Sequence, residues 1–313
     1  MRFEQLLFLC EIVDQGLSVT RAADVLHTSQ PGVSKQIRLL ETELGFDILR
    51  RRKGRIDGVT EPGQIVVALA RKILRDAQAI KRLGDEYSYN DVGELVVATT
   101  HLHARYILPA IVEQFRGVYP KVRLSLLQVD PEQIGELVAS GRADIGITSE
   151  LPVSQQQLVG LPIYKYGRTL ITPPGHPLLS EQPLTLSAIS HFPIISYNRS
   201  YPGGMAVKRA FEQARLVPEI VISATDAEVI KAYVRIGLGV AVLPSIAFDA
   251  VDDAPLEGVD ATDIFGMLHA QIILHPDAFL RGYMYDFMHM VSPAWPRAKV
   301  VSMMSGAVDH AER

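Results

Sequence analysis

The sequence predicts an α + α/β chain. Two patterns carry that expectation. Three short helical stretches and a hairpin pattern crowd into the first 60 residues, and strand and helix patterns alternate from residue 91 onward. Between them lies one long helical pattern with a single apolar seam. The expected organisation is a small helical module over 1–59, a linker helix and hinge over 60–90, and an α/β domain over 91–313. Alternation on that scale suits two lobes around a cleft, one of about 91–162 with 267–293 and the other of about 163–266.

Residues 3–14 (FEQLLFLCEIVD) place Phe3, Leu6, Cys10 and Val13 on one face of an amphipathic helix. Gly16 stops it. Ser18 opens a short alanine-rich helix, SVTRAADVLH, and TSQ serves as turn and cap. The next helix spaces Val33, Ile37, Leu40 and Leu44 at i, i+4, i+7 and i+11 and ends at Gly45. ILRRRKGRIDGVT, Ile48 to Thr60, reads as a hairpin turning at Lys53-Gly54. Thr60 caps the long helix, Pro62 is tolerated in its first turn, and the helix is expected to reach about Leu83. Val66, Leu69, Ile73, Ile80 and Leu83 recur at an a/d-like spacing broken by Asp76. That seam suits pairing with a second copy of the helix, and equally suits packing on its own module. GDEYSYNDVG, Gly84 to Gly93, is polar and unpatterned and reads as a linker.

Beyond it, ELVVATT, VRLSLLQVD, ADIGITSE, TLITPP, FPIISY, EIVISAT, GVAVLP and AQIILH read as strands. HARYILPAIVEQFRGVYP, PEQIGELVASGR, GGMAVKRAFEQARL and DAEVIKAYVRIG read as helices. Such alternation predicts parallel sheets covered by helices. RGYMYDFMHM fits a closing helix whose aromatic residues belong to the core.

Composition narrows the function classes. With 48% hydrophobic and 21% charged residues the chain reads as an ordinary globular protein, and no apolar run approaches the ~20 residues of a membrane span. Glu4, Glu11 and Asp14 interrupt the N-terminal apolar residues, so no signal peptide is expected and the expected location is the cytoplasm. The single cysteine, Cys10, excludes an intramolecular disulfide and sits in periodic apolar company, as a core residue would. Net charge is −4, yet residues 1–82 hold 14 Lys/Arg against 10 Asp/Glu while the remainder holds 17 against 25. A basic end and an acidic remainder point to different tasks.

Three helices and a hairpin match a winged helix-turn-helix, in which the second helix of the pair enters the DNA major groove with its N-terminal residues. Thr28, Ser29, Gln30, Pro31, Ser34, Lys35 and Arg38 lie at the front or outer face of that helix, with Val33, Ile37 and Leu40 inward. Glutamine pairs with adenine, lysine or arginine with guanine, and serine with several partners. Pro31 fits the first turn, where no N–H is needed, and the helix N-terminus attracts phosphate. On the wing, Arg50, Arg51, Arg52, Lys53 and Arg55 put five cations in six residues, expected to contact mostly phosphate.

AADVLHTSQPGVSKQIRLLETELG and VTEPGQ, then SGRADIGI and VRIGLGVAVLP, resemble the LysR-type transcriptional regulators, and the matching stretches extend over the whole chain. The resemblance implies a winged helix-turn-helix, a long linker helix and a two-lobed effector domain similar to periplasmic binding proteins. ATTHLHARYILP, ATDAEVIKAYVRIGLGV, DIF (Asp263–Phe265) and FLRGYMYDFM resemble the CysB-like sulfur-metabolism subgroup in particular. That subgroup implies a homodimer or homotetramer on double-stranded promoter DNA near sulfur-assimilation or organosulfur-use genes, working with RNA polymerase. It also implies a small effector related to sulfate, acetylserine, adenylyl sulfate or an organosulfur compound.

In the subgroup, the turn after ATT supplies hydroxyls and an amide to the ligand. Thr99, Thr100 and His101 match that pattern, while Leu102 and His103 stand where it has threonine and glutamine. Ser149 keeps a hydroxyl in place of threonine, Pro202 replaces another threonine, and Thr225 and Asp226 match. The implied effector site is therefore Thr99, Thr100, His101, Leu102, His103, Ser149, Pro202 and Thr225. Independently of the resemblance, Thr100, Ser149 and Thr225 each follow a predicted strand, where open α/β sheets bind ligands and helix N-termini favour an anion. Serine and threonine are also ordinary helix caps, which accounts for Thr100 and Thr225 without a ligand.

Other constellations carry less. His101 and His103, at i and i+2, do not share a helix face, so no metal is expected. Gly237-Leu238-Gly239 precedes a strand and lacks the third glycine of a dinucleotide fingerprint, which suits a helix end and tight turn. With no nucleophile elbow, P-loop or cofactor loop, neither an enzyme nor a cofactor is expected.

Overall fold

Capped helices build the first unit, Met1–Ser88, of a computed structural model that describes residues 1–52, 54–88, 92–149, 158–199 and 201–311; the side chains within 81–88 and 307–311 are not described. α1 (Phe3–Asp14), α2 (Val19–Val25) and α3 (Gln30–Leu44) fall where the periodicity put them. Ser18 and Ser29 cap α2 and α3, each hydroxyl accepting a backbone N–H three residues on at 3.3 Å. Gly45 ends α3 in the left-handed region, φ 78°, which only glycine adopts readily. β1 (Leu49–Arg52) and β2 (Arg55–Val59) pair antiparallel as the wing. α4 (Glu61–Ser88) starts from the Thr60 hydroxyl, which accepts from Gly63 N at 3.0 Å. It runs past the expected stop at Leu83, because one glycine costs only ~1 kcal/mol in a long helix.

Leu6, Leu9, Ile12, Val33, Ile37, Leu40, Ile48 and Leu49 form the core of this unit. Phe3, expected on the buried face, is exposed; the core begins one turn later, at Leu6. Cys10 is buried and free, and burial pushes its thiol up to about 11, so it stays an unreactive core residue. Val66 turns inward onto the core beside Val67 and Ala70, whereas Ile65, Leu69, Ile73 and Ile80 are exposed. The expected seam thus loses Val66, and Leu83 lies among the side chains outside the described residues.

The second unit, Tyr89–Arg313, is built on two five-stranded sheets. The first lobe opens with β3 (Gly93–Thr99), α5 (His101–Tyr106), α6 (Leu108–Val118), β4 (Val122–Gln128), α7 (Pro131–Ser140), β5 (Ile145–Thr148) and β6 (Val159–Tyr166). The second holds β7 (Arg168–Thr172), α8 (Leu186–Ile189), β8 (Ile194–Tyr197), α9 (Pro202–Gln213), β9 (Ile220–Ala224), α10 (Ala227–Arg235), β10 (Val240–Pro244), β11 (Glu257–Asp260) and α11 (Thr262–Phe265). β12 (Leu268–Leu274), α12 (Gly282–Val291) and α13 (Arg297–Ala311) return to the first. Strand orders are β4-β3-β5-β12-β6 and β11-β7-β10-β8-β9.

The sheets are mixed where parallel ones were expected. β12 runs against β5 and β6, and β7 against β10 and β11. The cause is the double crossover. A strand that leaves one sheet at the cleft enters the other from the cleft side, against its parallel strands. β6 was not expected, because Pro162 interrupts its pattern; an edge strand tolerates it. It also moves 163–166 into the first lobe, and α13, through Val300 and Met304, extends that lobe beyond residue 293. Pro109 splits the expected single helix into α5 and α6 at Ile107.

In the second lobe, Leu170, Ile194, Val240 and Val242 face one core, and Ile171, Ile195, Ala241 and Leu243 face another. A sheet buried on both faces explains why these strands read as continuous apolar runs. Lys231 of α10 is also buried there. Its Nζ donates to both Asp253 oxygens, at 2.8 and 3.0 Å, and pairs with Glu228 Oε1 at 3.0 Å.

Candidate functional site

In the first unit, α3 presents Gln30, Pro31, Ser34, Lys35 and Arg38 along one face, all exposed except the half-buried Ser34; Thr28 and Ser29 are exposed at its front. A groove beside it reaches the wing, where Ser34, Arg38, Arg51 and Arg55 share its lining. The wing's cations are not equivalent. Arg51 is tied to the buried carboxylate of Glu41, Nη2 to Oε2 at 2.8 Å, and Arg50 donates to Asp57 at 3.0 Å. Glu41 also accepts the backbone N–H groups of Ile48 and Leu49, each at 3.0 Å, and so pins α3 to the wing. Lys35, Arg38, Arg52 and Arg55 form no ion pair among the described residues, and Lys53 lies outside them.

In the second unit, a cavity of about 220 Å³ lies between the two sheets. Every parallel strand delivers a residue to it at its carboxyl end: Thr100 after β3, Gln128 of β4, Thr148 and Ser149 at β5, Tyr197 of β8, Thr225 after β9, and Pro244 of β10. Leu102, Val129, Pro131, Pro202 and Leu268 make much of the remaining wall apolar, and no lysine or arginine lines it among the described residues.

Three side-chain pairs span the lobes around this cavity. Tyr201 donates to Asp130 Oδ1, His101 Nε2 meets Asp226 Oδ2 at 2.8 Å, and Tyr106 donates to Glu228 Oε1 at 2.6 Å. Burial first, and then the bond to Glu228, pushes the Tyr106 phenol up, so it remains a donor at neutral pH. Asp226 also caps α10, accepting from Glu228 N and Val229 N at 2.6 and 3.2 Å.

Residues 3–64 match the family described as bacterial regulatory helix-turn-helix protein, lysR family, and residues 90–295 match the LysR substrate binding domain. The chain belongs to the LysR family. It is a DNA-binding transcriptional regulator of the LysR type. It is 42% identical over 308 residues to the HTH-type transcriptional regulator SsuR of Burkholderia cenocepacia, covering 98% of this chain and 100% of that one. It is also 42% identical over 300 residues to the HTH-type transcriptional regulator CysB of Haemophilus influenzae, covering 96% and 93%. Among solved structures, the cofactor-binding domain of the Cbl transcriptional regulator superposes with a TM-score of 0.64 at 33% identity, covering 68% of this chain and 93% of that one.

Of the residues the LysR resemblance implied for the effector, Thr100, His101, Leu102, Ser149, Pro202 and Thr225 line the cavity. Thr99 does not; its hydroxyl donates to Ile147 O at 3.1 Å inside the sheet. His103 does not either. It is fully buried behind the wall, its Nδ1 3.0 Å from Thr100 Oγ1. The two histidines point to different partners, His101 to Asp226 and His103 to Thr100. Capping does not account for Thr100, whose hydroxyl takes no helix N–H, nor for Thr225, because Asp226 caps α10. Sequence reasoning missed Gln128, Thr148, Tyr166, Tyr197 and Tyr201. The strand-end rule that found Thr100 would have found the first, second and fourth, had it been applied to every parallel strand.

Burial of the His103 ring pulls its pKa down to about 4, against about 6.5 in an unfolded chain. Between those values the unfolded chain binds more protons. Stability is therefore full above pH 6.5 and falls as pH drops toward 4, by at most about 1.4 kcal/mol per unit. Urea melts at pH 7 and pH 5 should show this loss in the natural chain and a smaller one in His103→Gln.

Proposed function

We propose that this LysR regulator reads promoter DNA with the exposed face of α3, holds phosphate with the wing cations Arg52 and Arg55, and senses a small sulfur-containing oxyanion in the cleft. The carrying observation is the cavity at six parallel strand ends, where the hydroxyls of Thr100, Thr148, Ser149 and Thr225 share the lining with apolar side chains and with the carboxylates of Asp130 and Asp226, which Tyr201 and His101 engage. Neutral donors suit an oxyanion without demanding a cation. Leu102 and Pro202 stand where the resemblance has threonines, which favours an effector with an apolar body, an organosulfonate above inorganic sulfate. The likeness to SsuR, CysB and Cbl supports sulfur acquisition as the regulated process. On this reading the protein works in the cytoplasm with RNA polymerase and has no catalytic role.

A thermal-shift screen of sulfate, thiosulfate, acetylserines, adenylyl sulfate and organosulfonates tests the effector reading. A ligand at 100 times its Kd adds about 2.7 kcal/mol and should raise the midpoint by several degrees. If acetylserine alone shifts the midpoint, the preference for a sulfur oxyanion is wrong.

The exposed stripe Ile65, Leu69, Ile73 and Ile80 on α4 supports pairing with a second copy, toward a homodimer or homotetramer. Leu69→Glu with Ile73→Glu should yield monomers in sedimentation velocity, with the helical signal retained. A dimer of unchanged strength would remove α4 from the interface.

A further inference from the structure

Two hydroxyls of the cavity wall are each bonded to a buried aromatic group, one behind the wall and one within it. Thr100 Oγ1 lies 3.0 Å from His103 Nδ1. The His103 ring is fully buried and meets the rings of Tyr164 and Tyr166 edge-on, at 6.2 and 6.3 Å. Its other nitrogen, Nε2, has no hydrogen-bond partner among the described residues. Ser149 Oγ, on the same wall, is hydrogen-bonded to the hydroxyl of Tyr166.

A neutral imidazole carries one proton, and the surroundings decide where. Burial keeps this ring neutral. A proton on Nε2 would bury an unpaired N–H. A proton on Nδ1 is satisfied by Thr100 and leaves only a bare lone pair on Nε2, and orphaned buried N–H groups are the rarer of the two. Nδ1–H therefore donates to Thr100, whose own proton must turn elsewhere. The phenol of Tyr166 is a stronger acid than the Ser149 hydroxyl, so it is the better donor of that pair, and the Ser149 proton is freed in the same way. Both threonine and serine line the cavity.

We propose that His103 and Tyr166 act as positioning residues that make Thr100 and Ser149 hydrogen-bond donors into the cleft, so that the site selects an effector presenting an acceptor-only oxyanion at that wall. The inference rests on the cleft being the effector site, and it adds which way the wall hydroxyls point and what sets them. His103 thereby does from the second layer what a direct polar contact would do from the first.

The test has two arms. Neutron diffraction from crystals of the perdeuterated full chain locates the exchangeable deuterium atoms. Deuterium on His103 Nδ1, with the Thr100 hydroxyl turned off the line to the ring, is expected; deuterium on Nε2, with the Thr100 hydroxyl pointing at Nδ1, overturns the proposal. The second arm titrates methanesulfonate and sulfate into the full chain by calorimetry. His103→Phe keeps a buried ring without its donor and should weaken the better-bound probe about tenfold at an unchanged melting midpoint. His103→Asn, whose amide nitrogen falls near the place of Nδ1 and can donate to Thr100, should restore most of that loss. Equal affinity in natural chain and His103→Phe contradicts the positioning role. If the natural chain binds neither probe, the sulfur-oxyanion reading fails, while the neutron arm still decides the hydroxyl orientation.

Discussion

Asp253→Ala should lower the unfolding free energy of the effector domain by about 3–5 kcal/mol, because it strands a buried ammonium. Lys231 Nζ is enclosed on α10, and Asp253 supplies two of its three carboxylate contacts. Glu228 alone, nearly half exposed, does not replace them. Replacing both partners by apolar residues, Lys231→Met with Asp253→Leu, should cost clearly less than Asp253→Ala alone, since no uncompensated charge remains. Urea denaturation of the three proteins checks the order. A loss below about 1 kcal/mol in Asp253→Ala would mean water reaches the ammonium. The same network has a functional side. Glu228 holds Lys231 and also the Tyr106 phenol from the other lobe. Loosening Lys231 should therefore weaken one of the three pairs that span the cleft.

On the DNA side, Arg38→Ala and Lys35→Ala should each cost about 1–3 kcal/mol in specific binding, roughly 5- to 150-fold, if they reach base edges. Both are exposed on the face of α3 and free of ion pairs among the described residues. Arg55→Ala should behave differently. It should weaken promoter and scrambled fragments alike and lower the salt dependence by about one counterion. Arg51→Ala should lower stability as well, since its guanidinium neutralises buried Glu41. Fluorescence anisotropy on promoter and scrambled duplexes at several salt concentrations separates these classes. Equal losses on both duplexes for Arg38→Ala would make it a phosphate contact.

Local signals carried far in this chain, and non-local ones did not. The helices of the first unit announced themselves through serine caps, Gly45 and an apolar period. The cleft announced itself through residues that follow strands. What stayed hidden depends on chain reversal in space. The reversed strands β7 and β12 follow from two crossovers between lobes, which no local pattern encodes. Glu41 looked like one more charged residue of a helix, yet its partners Ile48, Leu49 and Arg51 come from the wing. Tyr166 and Tyr201 reach the cavity from the crossover and from the start of α9, without a sequence mark. His103 resembled a ligand because it replaces one; only packing against Tyr164 and Tyr166 reveals that it faces away.

Calorimetric titration of the sulfur oxyanion panel into the full chain and its Thr100→Ala variant tests the central claim most directly. The cleft account predicts saturable binding of at least one member to the natural chain, weakened about tenfold or more by Thr100→Ala while DNA affinity without effector is unchanged. Identical isotherms in the two proteins, or heats of dilution alone in both, would contradict it.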